Sequence, residues 1–525
     1  MNLNPVIWSL LLPLLSAIVL LLLSQRIKWQ RSISLFASSS LVLITFYAMG
    51  FALSSTPQTY ALGNWPAPFG IILVLDQLSG LLLVITALLS LAALWCAVRQ
   101  NTDQQGVHFH VLWQLQIFGL NGAFLTGDLF NLFVFFEVLL LASYGLLLHG
   151  GRRQNTKAGL HYVVINLLAS SLFLFAVGTL YGILGTLNMA DLAQKIAHLP
   201  ADNQPIVAAA GLLLLVVFAV KSALFPLYLW LPKAYANTTA PVAALFAIMT
   251  KVGVYAIIRV HGMLFGENAG ALAGLHLPWL LWLGLITLLL AAFGTLAATT
   301  LRQTIAYLVL ASVATLLIAI GINQTQTLPA LLFYLIHSTF IAAGLFLLAD
   351  YVRQGRPQHA DRLIADFAMP RNTLIGGVYL FAAIAISGMP PLSGFFGKLL
   401  ILQSSIQHPY FWWILATILL SNLLIIIALV RVGSVLFYQT LPRERCHDSA
   451  LQTQCLPPHI NPQGCGAIVG LLSIGILLTL FAQPIYQITE SISAQWQQVT
   501  LYQQQVLTTA PFDNPNKTLY WEDIK

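Results

Sequence analysis

Five ionisable residues stand inside runs of apolar sequence. Glu137 lies in Asn131-Leu-Phe-Val-Phe-Phe-Glu137-Val-Leu-Leu. Lys221 opens Lys221-Ser-Ala-Leu-Phe-Pro226, Lys251 lies in Met249-Thr-Lys251-Val-Gly, and His337 lies in Tyr334-Leu-Ile-His337. Lys398 closes Ser387-Gly-Met-Pro-Pro-Leu-Ser-Gly-Phe-Phe-Gly-Lys398. A charge at the centre of a bilayer costs about 2.5–3.5 kcal/mol on insertion scales. Such groups must therefore face one another or water. One reading is a structural ion pair, Glu137 with Lys221, that only holds helices together. Buried pairs are poor sources of stability, because desolvation offsets the Coulomb gain. That reading also leaves Lys251 and Lys398 without a role. The other reading is a proton relay. A lysine in apolar surroundings gives up its proton more readily than in water, and a nearby carboxylate restores its hold. Glu137 and Lys221 then form a switch, with Lys251, His337 and Lys398 passing the proton onward. Histidine needs no help to titrate near neutrality.

The elements that position these groups follow from composition. Of the 525 residues, 58% are hydrophobic and only 7% are Asp, Glu, Lys or Arg. Soluble domains carry about 25% charged residues. The mean hydropathy of +0.83 agrees: the chain is an all-α polytopic membrane protein, not a soluble enzyme or a nucleic-acid binder. Apolar runs long enough to cross the hydrocarbon as helices fall at 5–24, 33–53, 71–98, 111–127, 129–149, 159–184, 206–231, 241–260, 278–299, 304–322, 329–349, 373–403, 411–432 and 466–484. That predicts fourteen spans.

The loops check the count. Basic residues crowd those after odd-numbered spans, from Arg26, Lys28 and Arg31 to Arg443 and Arg445, whereas loops after even-numbered spans hold only Lys195. Cytoplasmic loops carry the excess of Lys and Arg, so both termini are expected outside the cytoplasm, in a bacterial inner membrane. The net charge of +7 thus reports orientation, not a nucleic-acid partner. Residues 1–23 have no basic n-region and no small-x-small site, and read as an uncleaved first span. The stretch from about 485 onward reads as a polar extracytoplasmic extension with little part in transport.

Proline and glycine interrupt spans seven and twelve, at Lys221–Pro226 and Ser387–Lys398. Such breaks survive at membrane depth only inside protein or beside water. They lie five spans apart, and each carries a lysine. An odd-numbered repeat must be inverted in its second copy, and paired broken helices in inverted repeats point to ion sites. The expected units are residues 1–110 (spans one to three), 111–260 (first repeat), 278–432 (second repeat) and 433–525 (a cytoplasmic loop, span fourteen and the tail).

Other polar residues have blander readings. Asp76 and Asp128 precede long apolar runs and read first as helix caps, with proton exit as the alternative. His161 reads as interfacial, and Arg259 and Arg431 as anchors that snorkel from span ends. Ser222, Thr250, Ser312 and Ser338 could hold water or bond their own helix. Cys446, Cys455, His459 and Cys465 share a loop, but their spacing fits no common zinc site, and no metal is expected. No P-loop, haem or dinucleotide motif is present, so no cofactor is expected. The driving force must be an ion gradient or a partner subunit.

With these motifs together, the sequence resembles the antiporter-like family shared by Mrp cation/proton antiporters and respiratory complex I. The carriers are Phe133-Val-Phe-Phe-Glu137-Val, Phe218-Ala-Val-Lys221 through Trp230-Leu-Pro-Lys-Ala, Met249-Thr-Lys251-Val-Gly-Val-Tyr255 and Gly388-Met-Pro-Pro-Leu-Ser-Gly-Phe-Phe-Gly-Lys398. Phe136-Glu137-Val-Leu-Leu-Leu-Ala-Ser-Tyr144 and Tyr235-Ala-Asn-Thr-Thr-Ala-Pro241 are most similar to the D-type branch of Mrp and Pha complexes. The resemblance implies a hydrophilic axis of Glu137, Lys221, Lys251, His337 and Lys398, fourteen helices with two inverted five-helix repeats, and partner subunits in a hetero-oligomer. It implies exchange of protons for Na⁺ or K⁺, with no enzymatic activity. The alternative is a proton-pumping subunit of a respiratory or hydrogenase redox complex. Where many relatives carry a histidine or glutamine in span ten, this chain has Ser312. Ile341-Ala-Ala-Gly is apolar where some D-type chains place a second basic residue.

Overall fold

The computed structural model describes residues 4–151, 153–356, 358–440 and 464–509. Among them, eleven helices are long and apolar enough to cross a membrane, or twelve if a bent pair counts as one. The chain is thus a multi-pass helical membrane protein. Two of the fourteen expected spans fall short of that test. The run at 111–127 is the 17-residue helix Phe109–Leu125. The run at 373–403 divides into Asn372–Ser387 and Ser393–Ser404. The run at 466–484 gives Cys465–Leu480, which bends by 87° into Ala482–Gln497. Residues beyond 484 therefore continue as helix, followed by Val499–Leu507. Of the cysteine-rich loop, Cys446, Cys455 and His459 lie outside the described residues.

The sequence also hid a hairpin. Gln58–Ala61 pairs antiparallel with Ile72–Leu75, Gln58 opposite Leu75 and Ala61 opposite Ile72. The second strand is a continuous Ile-Leu-Val-Leu run buried on both faces. Such a short run cannot be told from a helix segment by periodicity.

Start signals are conventional. Asp76 accepts from the Ser79 amide, and the Ser79 hydroxyl answers the Asp76 amide, closing a capping box. Asp128 accepts from the Asn131 amide, and Thr300 from the Gln303 amide. Each satisfies a donor that the first turn of a helix leaves without a partner. The cap readings of Asp76 and Asp128 hold. Burial pushes the Asp128 carboxyl up to about 6, against the opposing amides of Asn131 and Phe130.

The core is a pair of helical segments, Ala240–Leu264 and Thr327–Gly355, enclosed on all sides. Pro5–Leu22, Ile27–Ser54, Asn155–Leu184 and Phe411–Tyr438 form the perimeter, with most of their surface outward. Arg431 sits on that perimeter and donates to the Leu296 carbonyl at 2.7 Å.

Both expected breaks are present. The helix Gln204–Lys221 ends at Lys221 itself, and the chain resumes at Trp230 after a turn through Pro226. Asn372–Ser387 ends on Gly388, whose φ of +77° is the left-handed conformation that glycine adopts freely. A third break was not expected. Residues 241–260 read as one helix but form Ala240–Phe246, Met249–Ala256 and a π-helical turn, Ile257–His261. The Tyr235 hydroxyl takes up the Phe246 carbonyl at 2.7 Å, so the interruption leaves that acceptor satisfied.

Candidate functional site

Three lysines end up inside the chain. Lys251 is fully enclosed, and Lys221 and Lys398 are nearly so. Among the described residues none lies within ion-pair distance of a carboxylate. Neutral oxygens serve each of them instead.

Lys221 is the last residue of its half-helix, the end where the helix dipole favours a cation. Its Nζ donates to Asn166 Oδ1 at 3.2 Å and stands 5.8 Å from the centre of the Phe136 ring. Glu137 is half-buried, and its carboxylate accepts from the Ser170 hydroxyl. The expected direct pair of Glu137 with Lys221 is therefore absent from this arrangement. A polar seam on the helix Arg153–Leu184 separates the two. Asn166 and Ser170, one turn apart, each serve one partner, and the Ser170 hydroxyl also reaches the Asn166 carbonyl at 3.1 Å. Tyr162, a turn earlier, shares a 2.9 Å hydrogen bond with Ser143. The spacing 162, 166, 170 lines one helix face and could have been found by sequence. His161, beside it, is exposed.

Lys251 lies on the middle segment of the broken core helix. Its Nζ is 3.5 Å from Ser312 Oγ, whose hydrogen goes to the Val309 carbonyl at 2.7 Å. Gly253 permits the approach of this segment to Lys221: a Cβ there would stand 2.7 Å from the Ser222 amide nitrogen and 2.9 Å from the Lys221 carbonyl carbon. Ser222 and Ser338 bond carbonyls of their own helices, whereas the buried Thr250 hydroxyl has no protein partner.

His337 and Lys398 meet at the second break. His337 Nε2 donates to the Ala385 carbonyl at 3.1 Å, and Nδ1 is 2.8 Å from Ser393 Oγ. Lys398 Nζ donates to the Ser387 carbonyl at 2.9 Å and to Asn422 Oδ1 at 2.6 Å. At the break the Ser387 carbonyl thus serves Lys398, and the Ala385 carbonyl, which also takes the Gly388 amide, serves His337. Gly394 leaves room for the His337–Ala385 bond, since a Cβ would strike that carbonyl and the ring. Among the described residues no side-chain hydrogen bond joins Lys251 to His337. Ser312 stops short, and Ile341 packs toward Gly475.

Two further features lie off this line. Arg259, expected as a surface anchor, is buried and pairs with Asp76 at 2.6 Å. Its guanidinium stands 5.0–5.3 Å from the ring centres of Trp496, Tyr255 and Tyr502. The partner is 183 residues away, so local sequence held no sign of it. On the face with the basic loops, a polar cavity is lined by Thr238, Thr239, Arg302 and Asp350, among others. The Thr238 and Thr239 hydroxyls are buried there without protein partners, as expected of groups that bind water.

Known proteins share this architecture. The sequence profile described as "NADH:quinone oxidoreductase/Mrp antiporter, TM" matches residues 126–424. A Rhizobium meliloti protein, named as the probable D subunit of a K(+)/H(+) antiporter, is 42% identical, with 83% of this chain and 88% of that one aligned. The D subunit of the Na(+)/H(+) antiporter of Bacillus subtilis is 35% identical over 82% and 86% of the two chains. A chain of the Mrp complex from Dietzia superposes with a TM-score of 0.85 at 26% identity, covering 97% of this chain and all of that one. A chain of respiratory complex I from Thermus thermophilus shares the fold alone, with a TM-score of 0.72 at 22% identity over 94% and 99%.

Proposed function

The chain belongs to the NADH:quinone oxidoreductase/Mrp antiporter membrane family, and from that premise we infer that it is the proton-translocating D subunit of a multisubunit monovalent cation/proton antiporter. It is a transporter component, not an enzyme, and it works with the other subunits of that complex. The observation that carries the reading is the set of three enclosed lysines that, among the described residues, are served only by neutral oxygens. A lysine glued in place for stability needs a carboxylate. A lysine that must take and lose a proton needs acceptors that leave both states accessible.

In this reading Glu137 and Lys221 are the gate, communicating through Ser170 and Asn166. Lys251, His337 and Lys398 are the relay. Water bridges the gap from Lys251 to His337. The reading has fourteen spans, with the short helix Phe109–Leu125, the divided Asn372–Ser404 segment and the bent pair each taken as one. Residues 111–260 and 278–432 are then the two inverted repeats, 1–110 an N-terminal unit and 433–525 a C-terminal one. The membrane is the bacterial inner membrane, with the basic loops in the cytoplasm and both termini outside. The exchanged cation is Na⁺ or K⁺, as in the names of the relatives.

The test is Glu137→Ala in everted vesicles. Cation-dependent proton flux is expected to vanish while the complex remains assembled, and undiminished flux would refute the assignment. The redox-pump alternative predicts co-purifying iron–sulfur or flavin proteins. The names of the relatives at 35–42% identity favour the antiporter.

A further inference from the structure

Ser393 is the first residue of the half-helix Ser393–Ser404 and is fully buried. Its hydroxyl lies between two groups, His337 Nδ1 at 2.8 Å and the Gly475 carbonyl at 3.0 Å. The other ring nitrogen, Nε2, faces the Ala385 carbonyl at 3.1 Å. A carbonyl only accepts, so Nε2 carries hydrogen in every state of the ring. The state of Nδ1 is then the only freedom left, and Ser393 has a single hydrogen to give.

The two cases exclude each other. With the ring neutral, Nδ1 is a bare lone pair, and the Ser393 hydrogen must point at it. With the ring protonated, Nδ1–H donates to the Ser393 oxygen, and the Ser393 hydrogen must turn to Gly475. No atom is orphaned either way, because the Gly475 carbonyl keeps the Thr479 hydroxyl at 2.9 Å. A buried group that loses its partner on changing charge would resist the change. This one is satisfied in both states. The ring's other neighbours are Tyr334 on its own helix, with ring centres 6.1 Å apart, and Lys398 on the broken helix. From the helix Cys465–Leu480 it is the Gly475 carbonyl, through Ser393, that answers.

We propose that Ser393 is a two-state rotor, a positioning residue that follows the proton on His337 and passes its state to the helix Cys465–Leu480. This rests on the relay role given to His337 above. When a protonated donor of the relay, a hydronium or the Lys398 ammonium, gives up a proton, its O–H or N–H bond breaks, an N–H bond forms at Nδ1, and the donor is left as water or a neutral amine. The Ser393 O–H bond stays intact and only turns, and the added charge stays on the ring until the proton leaves.

The test uses the whole complex in everted vesicles, with Ser393→Ala, Ser393→Thr, His337→Gln and the double variant Ser393→Ala/His337→Gln. Hydrogen bonds to a charged group are worth enough that S393A is expected to lose about tenfold or more of cation-dependent proton flux per assembled complex. Its pH–rate profile should also change shape. S393T, which keeps the hydroxyl, should stay within about twofold of the parent, and the double variant should be no worse than H337Q alone. Should S393A fail to assemble, Ser393→Cys, close in volume but a weak donor, should show an intermediate loss; parental behaviour of S393C overturns the proposal. An S393A loss that is equal at every pH, or that persists in the H337Q background, overturns the rotor and leaves the relay standing. Parental flux in H337Q overturns the relay role itself, and the rotor with it.

Discussion

The Lys221 ammonium rests on Asn166 Oδ1, 3.2 Å away, and not on the Glu137 carboxylate, which the Ser170 hydroxyl holds. A fixed ion pair would lock one protonation state. An amide and a hydroxyl interposed on one helix face let the two charges sense each other without that lock. Asn166→Leu removes the only side-chain acceptor of Lys221 among the described residues. Loss of a buried partner costs about 1–3 kcal/mol, which corresponds to roughly tenfold or more in rate if felt at the transfer step. Cation-dependent proton flux in everted vesicles, normalised to assembled complex, should fall by that order. Unchanged flux would remove Asn166 from the gate.

Gly253 is expected to resist even the smallest enlargement. A Cβ would meet the Ser222 nitrogen at 2.7 Å and the Lys221 carbonyl carbon at 2.9 Å, and both are backbone atoms that cannot swing aside. Overpacking of this kind costs about 1–3 kcal/mol. Gly253→Ala should lower both thermal stability and flux, because it pushes the Lys251 segment off the end of the Lys221 helix. Gly178→Ala is the control: it has nothing within 4 Å, and alanine is the better helix former. Equal behaviour of the two variants would contradict the close approach.

Arg259 should behave oppositely to the relay residues. Breaking a buried pair by removing one partner costs about 3–5 kcal/mol. Arg259→Ala is therefore expected to cut the yield and melting temperature of the complex while the turnover of assembled complex is kept. The measurement is flux per complex beside a thermal melt, and a selective loss of turnover would place Arg259 in the ion path instead.

The loop carboxylate Asp361 makes stability depend on pH. Burial opposes its ionisation, but hydrogen bonds and charge from Arg302, at 3.0 Å, outweigh it and hold the carboxyl below its ordinary 3.8. A carboxylate held low stabilises the fold above its unfolded value, and that contribution is lost as pH falls through the folded value. Asp361→Asn should lower the melting temperature near neutral pH, and the gap from the parent should close as pH drops below about 3.8. A gap that is constant with pH would mean that the ionised form contributes nothing.

Much of this was legible in the sequence because membrane helices obey a severe rule: charges in apolar runs are either functional or paired. Lys221, Lys251, His337 and Lys398 announced themselves that way, and Pro226 and Gly388 marked the breaks that serve two of them. Ser393 and Asn422 did not, because small neutral polar residues are common in membrane helices and cost little, and Asn166 and Ser170 show only through their spacing with Tyr162. Arg259 misleads because its place near a span end suggests snorkelling, and nothing near it in sequence reveals Asp76. The third break, after Phe246, carries no proline; a tyrosine from a neighbouring segment makes it tolerable. The hairpin at 58–75 was hidden because its second strand, Ile72–Leu75, runs into the apolar stretch read as span three.

The contacts of Trp496 and Tyr502 with Arg259, and of Gln495 with the Gln77 amide at 2.8 Å, bear on how the molecule is made. Chains emerge from the ribosome N-terminus first, so Asp76 and Arg259 are both threaded into the bilayer long before these aromatic side chains exist. The joint between them stays incompletely covered until residues 495–502 have been made and folded back. Closure of this face is thus a late step that follows insertion of the helices it joins.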